Sequence, residues 1–180
     1  TIVAIDTGSG QEIWRLQGDA TKDYEGATLA VRGPNVVYAL KDSLVCIDRE
    51  SGQQRWRVTA EKGPWFEQNA KERILGNRNR PGKAPGTTLT LVLSDDAVYM
   101  AGCNALWAFS MKDGALMWEA LTHINHFKAP DLFLVDGVVW TANKRGYDAR
   151  TGELVRALTQ KVIGPMSHDR CYRNRITDSY

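Results

Sequence analysis

The chain has 180 residues, with 23 Lys and Arg against 21 Asp and Glu, and this net charge of +2 excludes the strongly basic face that nucleic-acid binding needs. Its 43% hydrophobic and 24% charged content suit a soluble globular protein, and no apolar run approaches the roughly 20 residues of a membrane-spanning helix. Cys46, Cys103 and Cys171 are an odd and dispersed set that implies no disulfide framework.

The chain opens on a segment that it goes on to repeat. Ala4, Asp6, Gly10 and Trp14 return as Cys46, Asp48, Gly52 and Trp56, and again as Ala108, Ser110, Gly114 and Trp118. A fourth copy holds Gly146, Asp148 and Gly152, with Arg156 in the Trp place. Periods of this size mark stacked or radial architectures. Between the motifs, apolar runs over 29–31, 36–40, 44–47 and 54–58 predict four short antiparallel strands with tight turns. The order recurs at 89–93, 97–101, 105–109 and 116–119, and once more between 131 and 158, where Asp136-Gly137 and Asn143-Lys144-Arg145 mark the first two turns.

The fold class expected is therefore all-β, a β-propeller of four-stranded antiparallel blades. The expected division is the end of a blade at 1–16, blades at 27–58, 87–120 and 128–158, an insertion at 59–86, and the start of a next blade at 159–180. Thr1 falls inside a repeat, and the chain is expected to be part of a longer polypeptide or one piece of a complex. The other arrangement is a small four-bladed ring in which residues 1–16 pair with strands near 176–180.

Each repeated residue has a physical task. The Asp can accept hydrogen bonds from the backbone of its own turn. The Gly takes the positive φ that the turn needs. The Trp buries a large ring and can donate its N–H to a carbonyl of the neighbouring unit, which a single small sheet needs in order to cover its faces.

The pattern resembles the tryptophan-docking repeat of the pyrroloquinoline-quinone-type (PQQ-like) β-propellers, over nearly the whole chain. That superfamily holds both quinoprotein alcohol dehydrogenases and a non-catalytic outer-membrane-protein assembly lipoprotein, so the resemblance speaks for the fold and leaves function open. It departs from the pattern at Cys46, Ser110 and Arg156. The segment 167–173 (Ser-His-Asp-Arg-Cys-Tyr-Arg) also resembles an element of large PQQ-like proteins of planctomycete-type bacteria, which suggests a fragment of such a protein. Family propellers close with about seven or eight blades, and a periplasmic or cell-surface location is what the resemblance implies.

Chemistry is expected on the connections that leave the fourth strand of each blade, because rigid sheets hold such loops in place. The equivalent glycines are 42, 62 and 38 residues apart, so about 20 extra residues fall in the second interval. Within it, residues 64–75 read as a short helix with Pro64 in its first turn and Gly76 at its cap. All three histidines, His123, His126 and His168, lie in this class of connection, and Cys171 follows closely.

Three readings stay open. The histidines can be ordinary polar loop residues. They can, with Cys171, form a metal site for zinc or copper, whose preferred ligands are imidazole and thiolate. Or Arg78, Arg80, Arg170 and Arg173 can hold a carboxylate-bearing anion or quinone through paired hydrogen bonds. The resemblance adds PQQ with calcium as a cofactor, yet the chain carries neither the adjacent cysteines nor the acidic cluster typical of those enzymes. The leading expectation is a non-catalytic scaffold or binding module whose partner is another protein or the remaining blades. The alternative is part of a quinoprotein-like oxidoreductase whose other blades complete the cofactor site.

Overall fold

The computed structural model describes residues 1–26, 28–60, 89–102, 105–121, 132–141 and 144–158. Three four-stranded antiparallel sheets and one two-stranded sheet follow one another along the chain, each a simple meander. The two-stranded sheet pairs β1 (Ile2–Ile5) with β2 (Glu12–Leu16). The first full sheet holds β3 (Ala30–Arg32), β4 (Asn35–Ala39), β5 (Ser43–Asp48) and β6 (Gln54–Thr59). The second holds β7 (Thr90–Leu93), β8 (Ala97–Ala101), β9 (Ala105–Ser110) and β10 (Leu116–Leu121). The third holds β11 (Leu132–Val135), β12 (Val138–Thr141), β13 (Arg145–Asp148) and β14 (Leu154–Ala157). These are the blades of a β-propeller. The fourth strands run slightly further than the apolar pattern suggests, since pairing continues through Ser43↔Thr59 and Ala105↔Leu121.

The repeated motif builds the same turn four times. The amide of Asp6 donates to the Gln11 carbonyl and that of Gly10 to the Asp6 carbonyl, both at 2.8 Å. Asp48 with Gly52, Ser110 with Gly114 and Asp148 with Gly152 repeat the pair of bonds. A register shift next to the small residue accompanies each turn, at Ala4, Cys46 and Gly146 and opposite Ala108. The side chain of Asp48 accepts from the amides of Glu50 and Ser51 and from the Ser51 hydroxyl, and Asp6 does the same with Gly8 and Ser9.

The departure at Ser110 turns out to be an exchange. Asp6, Asp48 and Asp148 are each followed three residues on by a hydroxyl residue (Ser9, Ser51, Thr151), whereas Ser110 is followed by Asp113. A hydrogen bond from Ser110 holds the Asp113 carboxyl below the usual range, and Asp113 accepts the Ala115 amide. Carboxylate and hydroxyl have changed places around one turn.

Adjacent sheets are joined by the tryptophans. Trp14 Nε1 donates to the Arg49 carbonyl at 2.8 Å, Trp56 to the Met111 carbonyl at 2.9 Å, and Trp118 to the Ala149 carbonyl at 3.1 Å. In each case the acceptor stands three residues before the turn glycine, and the indole lies on that glycine. A Cβ added at Gly52, Gly114 or Gly152 would come within 2.9, 2.7 or 2.6 Å of the ring. A hydrogen atom is all the turn can carry there, and its φ of +70 to +75° independently requires glycine.

The core lies between the sheets. Ile2, Val36, Tyr38, Val45 and Ile47 fill the first seam with Trp14 packed against them. The second seam holds Val37, Leu44, Cys46, Trp56, Val98, Met100, Trp107 and Phe109. The third holds Tyr99, Leu106, Ala108, Val139 and Tyr147. Successive residues of one strand therefore serve opposite seams, as the alternation of a strand dictates.

Candidate functional site

The connection from β2 to β3 leaves the end of a fourth strand, where site residues are expected. It makes a single 3-10 turn, Gly18–Ala20, and crosses to the turn between β4 and β5 of the next sheet. Three contacts fix it there. The Tyr38 hydroxyl donates to the Ala20 carbonyl at 3.0 Å, the Lys41 amide donates to the Asp23 carbonyl at 2.9 Å, and Tyr24 bridges to Leu40. The rings of Tyr24 and Tyr38 meet edge to face with centroids 6.1 Å apart. Asp23 takes a left-handed φ of 58°, a conformation that Asp tolerates better than most side chains.

These contacts enclose an open cavity of about 270 Å³ lined by Asp19, Lys22, Asp23, Leu40, Asp42 and Arg57. One wall is anchored by a short chain of hydrogen bonds, in which Arg57 donates to the Ser43 hydroxyl at 3.0 Å and that hydroxyl donates to Asp42 at 2.8 Å. Arg57 and Asp42 themselves stand 4.0 Å apart and half exposed, a pair worth little in stability. Glu25, two residues after Asp23, is pushed above the usual carboxyl range by its own burial and then by Asp23. Three carboxylates and two cations on one concave surface suit a polar, charged ligand surface, with Leu40 as the single apolar lining residue.

His123, His126, His168, Cys171, Arg78, Arg80, Arg170 and Arg173 are outside the described residues, as are Cys103, the helix expected over 64–75 and the strands expected near 176–180. What is described is where their connections start. Ala60, at the entrance to 61–88, donates its amide to the Asp42 carbonyl at 2.8 Å, beside the cavity wall. Leu158, before 159–180, donates to the Lys144 carbonyl at 2.9 Å in the corresponding turn of the third sheet. Among the described residues no group of three or more His, Cys, Asp and Glu is placed to hold a metal ion, and no helix is long and apolar enough to cross a membrane.

Sequence reasoning missed Asp19, Lys22, Asp23, Asp42 and Arg57. The signal was present, because residues 17–26 are the same kind of connection as those carrying the histidines. In sequence, carboxylates and lysines in polar loops look like ordinary solvated residues. Only the approach of the 41–43 turn makes them a concavity.

Comparison with known proteins agrees with the architecture. BamB from Moraxella catarrhalis is similar at 18% identity with a TM-score of 0.55, covering 82% of this chain and 40% of that one. The quinohemoprotein alcohol dehydrogenase ADHIIG from Pseudomonas putida HK5 is similar at 17% identity with a TM-score of 0.51, covering 86% of this chain and 31% of that one. The computationally designed Ika4 protein is similar at 17% identity with a TM-score of 0.54, covering 83% of this chain and 79% of that one. Likeness at these identities concerns the fold alone, and the chain spans 40% or less of the length of the two natural proteins. No curated protein matches it in sequence. A family model described as outer membrane protein assembly factor BamB matches residues 1–146. With that match over most of its length, the chain belongs to this family of PQQ-like β-propeller repeat proteins.

Proposed function

We propose that the chain is a non-catalytic propeller module that presents its fourth-strand connections to a protein partner at the bacterial cell envelope. The observation that carries this reading is the cavity between residues 19–23 and 40–42. Its lining mixes Asp19, Asp23 and Asp42 with Lys22 and Arg57, it is open, and its walls are pinned by backbone hydrogen bonds. A rigid, charged, shallow concavity suits the side chains of a polar protein surface better than a flat aromatic quinone. The repeated Asp, Gly and Trp act as tryptophan-docking motifs in this reading, with their side chains committed to turns and seams. The envelope location and the assembly role come from the family description.

The same propeller framework also serves a quinoprotein alcohol dehydrogenase, so the test separates the two roles directly. The protein purified together with its remaining blades is titrated with PQQ and calcium, followed by the quinone absorbance, and assayed for dye-linked alcohol oxidation. A scaffold shows neither saturable quinone uptake nor turnover. Binding of a candidate envelope partner should fall when Asp19 and Asp42 are both changed to Lys. Stoichiometric quinone binding with alcohol oxidation would sink the scaffold reading.

A further inference from the structure

We propose that Asp136-Gly137 is a site of spontaneous isoaspartyl formation, and that this conversion loosens the third seam. The sequence holds two Asp-Gly pairs, Asp113-Gly114 and Asp136-Gly137. In both, the nitrogen that can attack the aspartyl side chain belongs to a residue with no Cβ to hinder it. The fold treats the two pairs in opposite ways.

Asp113-Gly114 is closed on both reacting groups. The Gly114 amide donates to the Ser110 carbonyl at 2.9 Å, while the Asp113 carboxyl is engaged by Ser110 and accepts the Ala115 amide at 3.1 Å. Trp56 and Val58 cover the glycine, with atoms 2.7 and 2.6 Å from the place of its Cβ. Asp136-Gly137 is the open loop of the β11–β12 hairpin, between the paired residues Val135 and Val138. Its φ values of 49° and 73° are both left-handed, the pattern of a tight hairpin turn. Nothing lies within 4 Å of the Gly137 Cβ position. Among the described residues no hydrogen bond engages the Gly137 amide and no partner holds the Asp136 carboxyl.

This openness belongs to the turn itself. Pro34, Asp96 and Gly137 are equivalent, since their carbonyls accept the amides of Arg49, Met111 and Ala149, each directly after the motif residue. The corresponding loops of the first two full sheets, each followed by a further sheet, also stand clear. Nothing lies within 4 Å of the Gly33 Cβ position, and the Asp95 side chain is 78% exposed. Asp95 is nevertheless held by Arg32 of the preceding sheet at 2.7 Å. In the β7–β10 sheet Ser94 takes the place of Arg32 and its hydroxyl is spent on Ala97, so Asp136 receives no such cation.

The reaction balances within the loop. The Gly137 nitrogen bonds to Asp136 Cγ as a Cγ–O bond breaks, and the amide proton leaves with the carboxyl OH as water. Water then adds back to the cyclic imide. Entry at Cγ restores aspartate, whereas entry at the main-chain carbonyl leaves the chain running through Cγ, one methylene longer. The Gly137 carbonyl accepts the Ala149 amide at 2.9 Å, and the Ala149 carbonyl takes both Trp118 Nε1 and the Tyr99 hydroxyl. A lengthened loop therefore pulls on the peptide to which the third seam is tied.

The protein purified together with its remaining blades is held at neutral pH and physiological temperature for several weeks, then digested. Isoaspartyl linkages are located by electron-transfer fragmentation. Isoaspartate is expected at 136 at a level at least about tenfold above that at 113. In urea the two pairs should react at comparable rates, because unfolding frees Gly114. Asp136→Glu should lose the signal, and Asp136→Asn, which closes the same imide with ammonia leaving, should gain it faster. Ageing should lower the urea midpoint of the parent and spare Asp136→Glu. Isoaspartate that is absent at 136 in the folded protein, or no more abundant there than at 113, overturns the assignment, as does an Asp136→Asn variant that reacts no faster. Isoaspartate at 136 with an unchanged midpoint overturns the link to the third seam.

Discussion

Trp56 is the residue on which the most packing converges. It is 8% exposed, its N–H is bonded across the seam, and its ring covers Gly114. Trp56→Ala removes a buried aromatic side chain and should cost about 3–5 kcal/mol, read as a lower urea midpoint. Trp14 makes the same bond from a half-buried position, so Trp14→Ala should cost less. Cys46, in the same seam, is wholly buried, and burial pushes its thiol up to about 11. With Cys103 and Cys171 replaced by Ser, the native protein should react negligibly with a thiol reagent at neutral pH and fully once unfolded. Fast native labelling would show that the seam opens.

At the scale of the element, the turn between the last two strands of each sheet is an electrostatic device. Asp6, Asp48 and Asp148 are held below the usual carboxyl range, chiefly by Ser9, Arg55 and the Arg150 amide respectively. A carboxyl with a depressed folded pKa binds fewer protons in the folded chain than in the unfolded one. Its contribution is complete above the unfolded aspartate value of about 3.9 and is lost as pH falls through the lower folded value. Urea midpoints should therefore fall as the pH drops below about 4, and Asp48→Asn should flatten that dependence. The second sheet allows a sharper test, because Ser110 and Asp113 exchange the usual roles. Ser110→Asp alone sets two carboxylates against each other, and Asp113→Ser alone removes the acceptor. The double exchange should be more stable than either single variant, and strict additivity would refute the shared-turn account.

Among the described residues each core seam joins two consecutive sheets, so stability is expected to be a sum of sheet and seam contributions. Trp56 serves the second seam and Trp118 the third, on opposite faces of the β7–β10 sheet. Losses in Trp56→Ala and Trp118→Ala should add within about 0.5 kcal/mol in the double variant. A large coupling would mean that strain passes through the middle sheet. Tyr99 tightens the third seam further, since its hydroxyl donates to the same Ala149 carbonyl as Trp118, at 3.2 Å.

Reading the residues in order was enough to determine the all-β class, the strand order and the place of each turn, because these depend on local chemistry. Alternating apolar residues, a glycine at positive φ and an Asp or Ser beside its own turn act within a few residues of one another. The tertiary structure decided what each repeat touches. Which carbonyl receives each indole, why no Cβ fits on Gly52, Gly114 or Gly152, and why Ile47 is buried while Ile5 is not all depend on a neighbouring sheet distant in sequence. The cavity at Asp19, Asp23 and Asp42 has the same origin. Its carboxylates belong to two separate turns, and the Lys41–Asp23 backbone hydrogen bond that unites them is a long-range contact that no local pattern encodes.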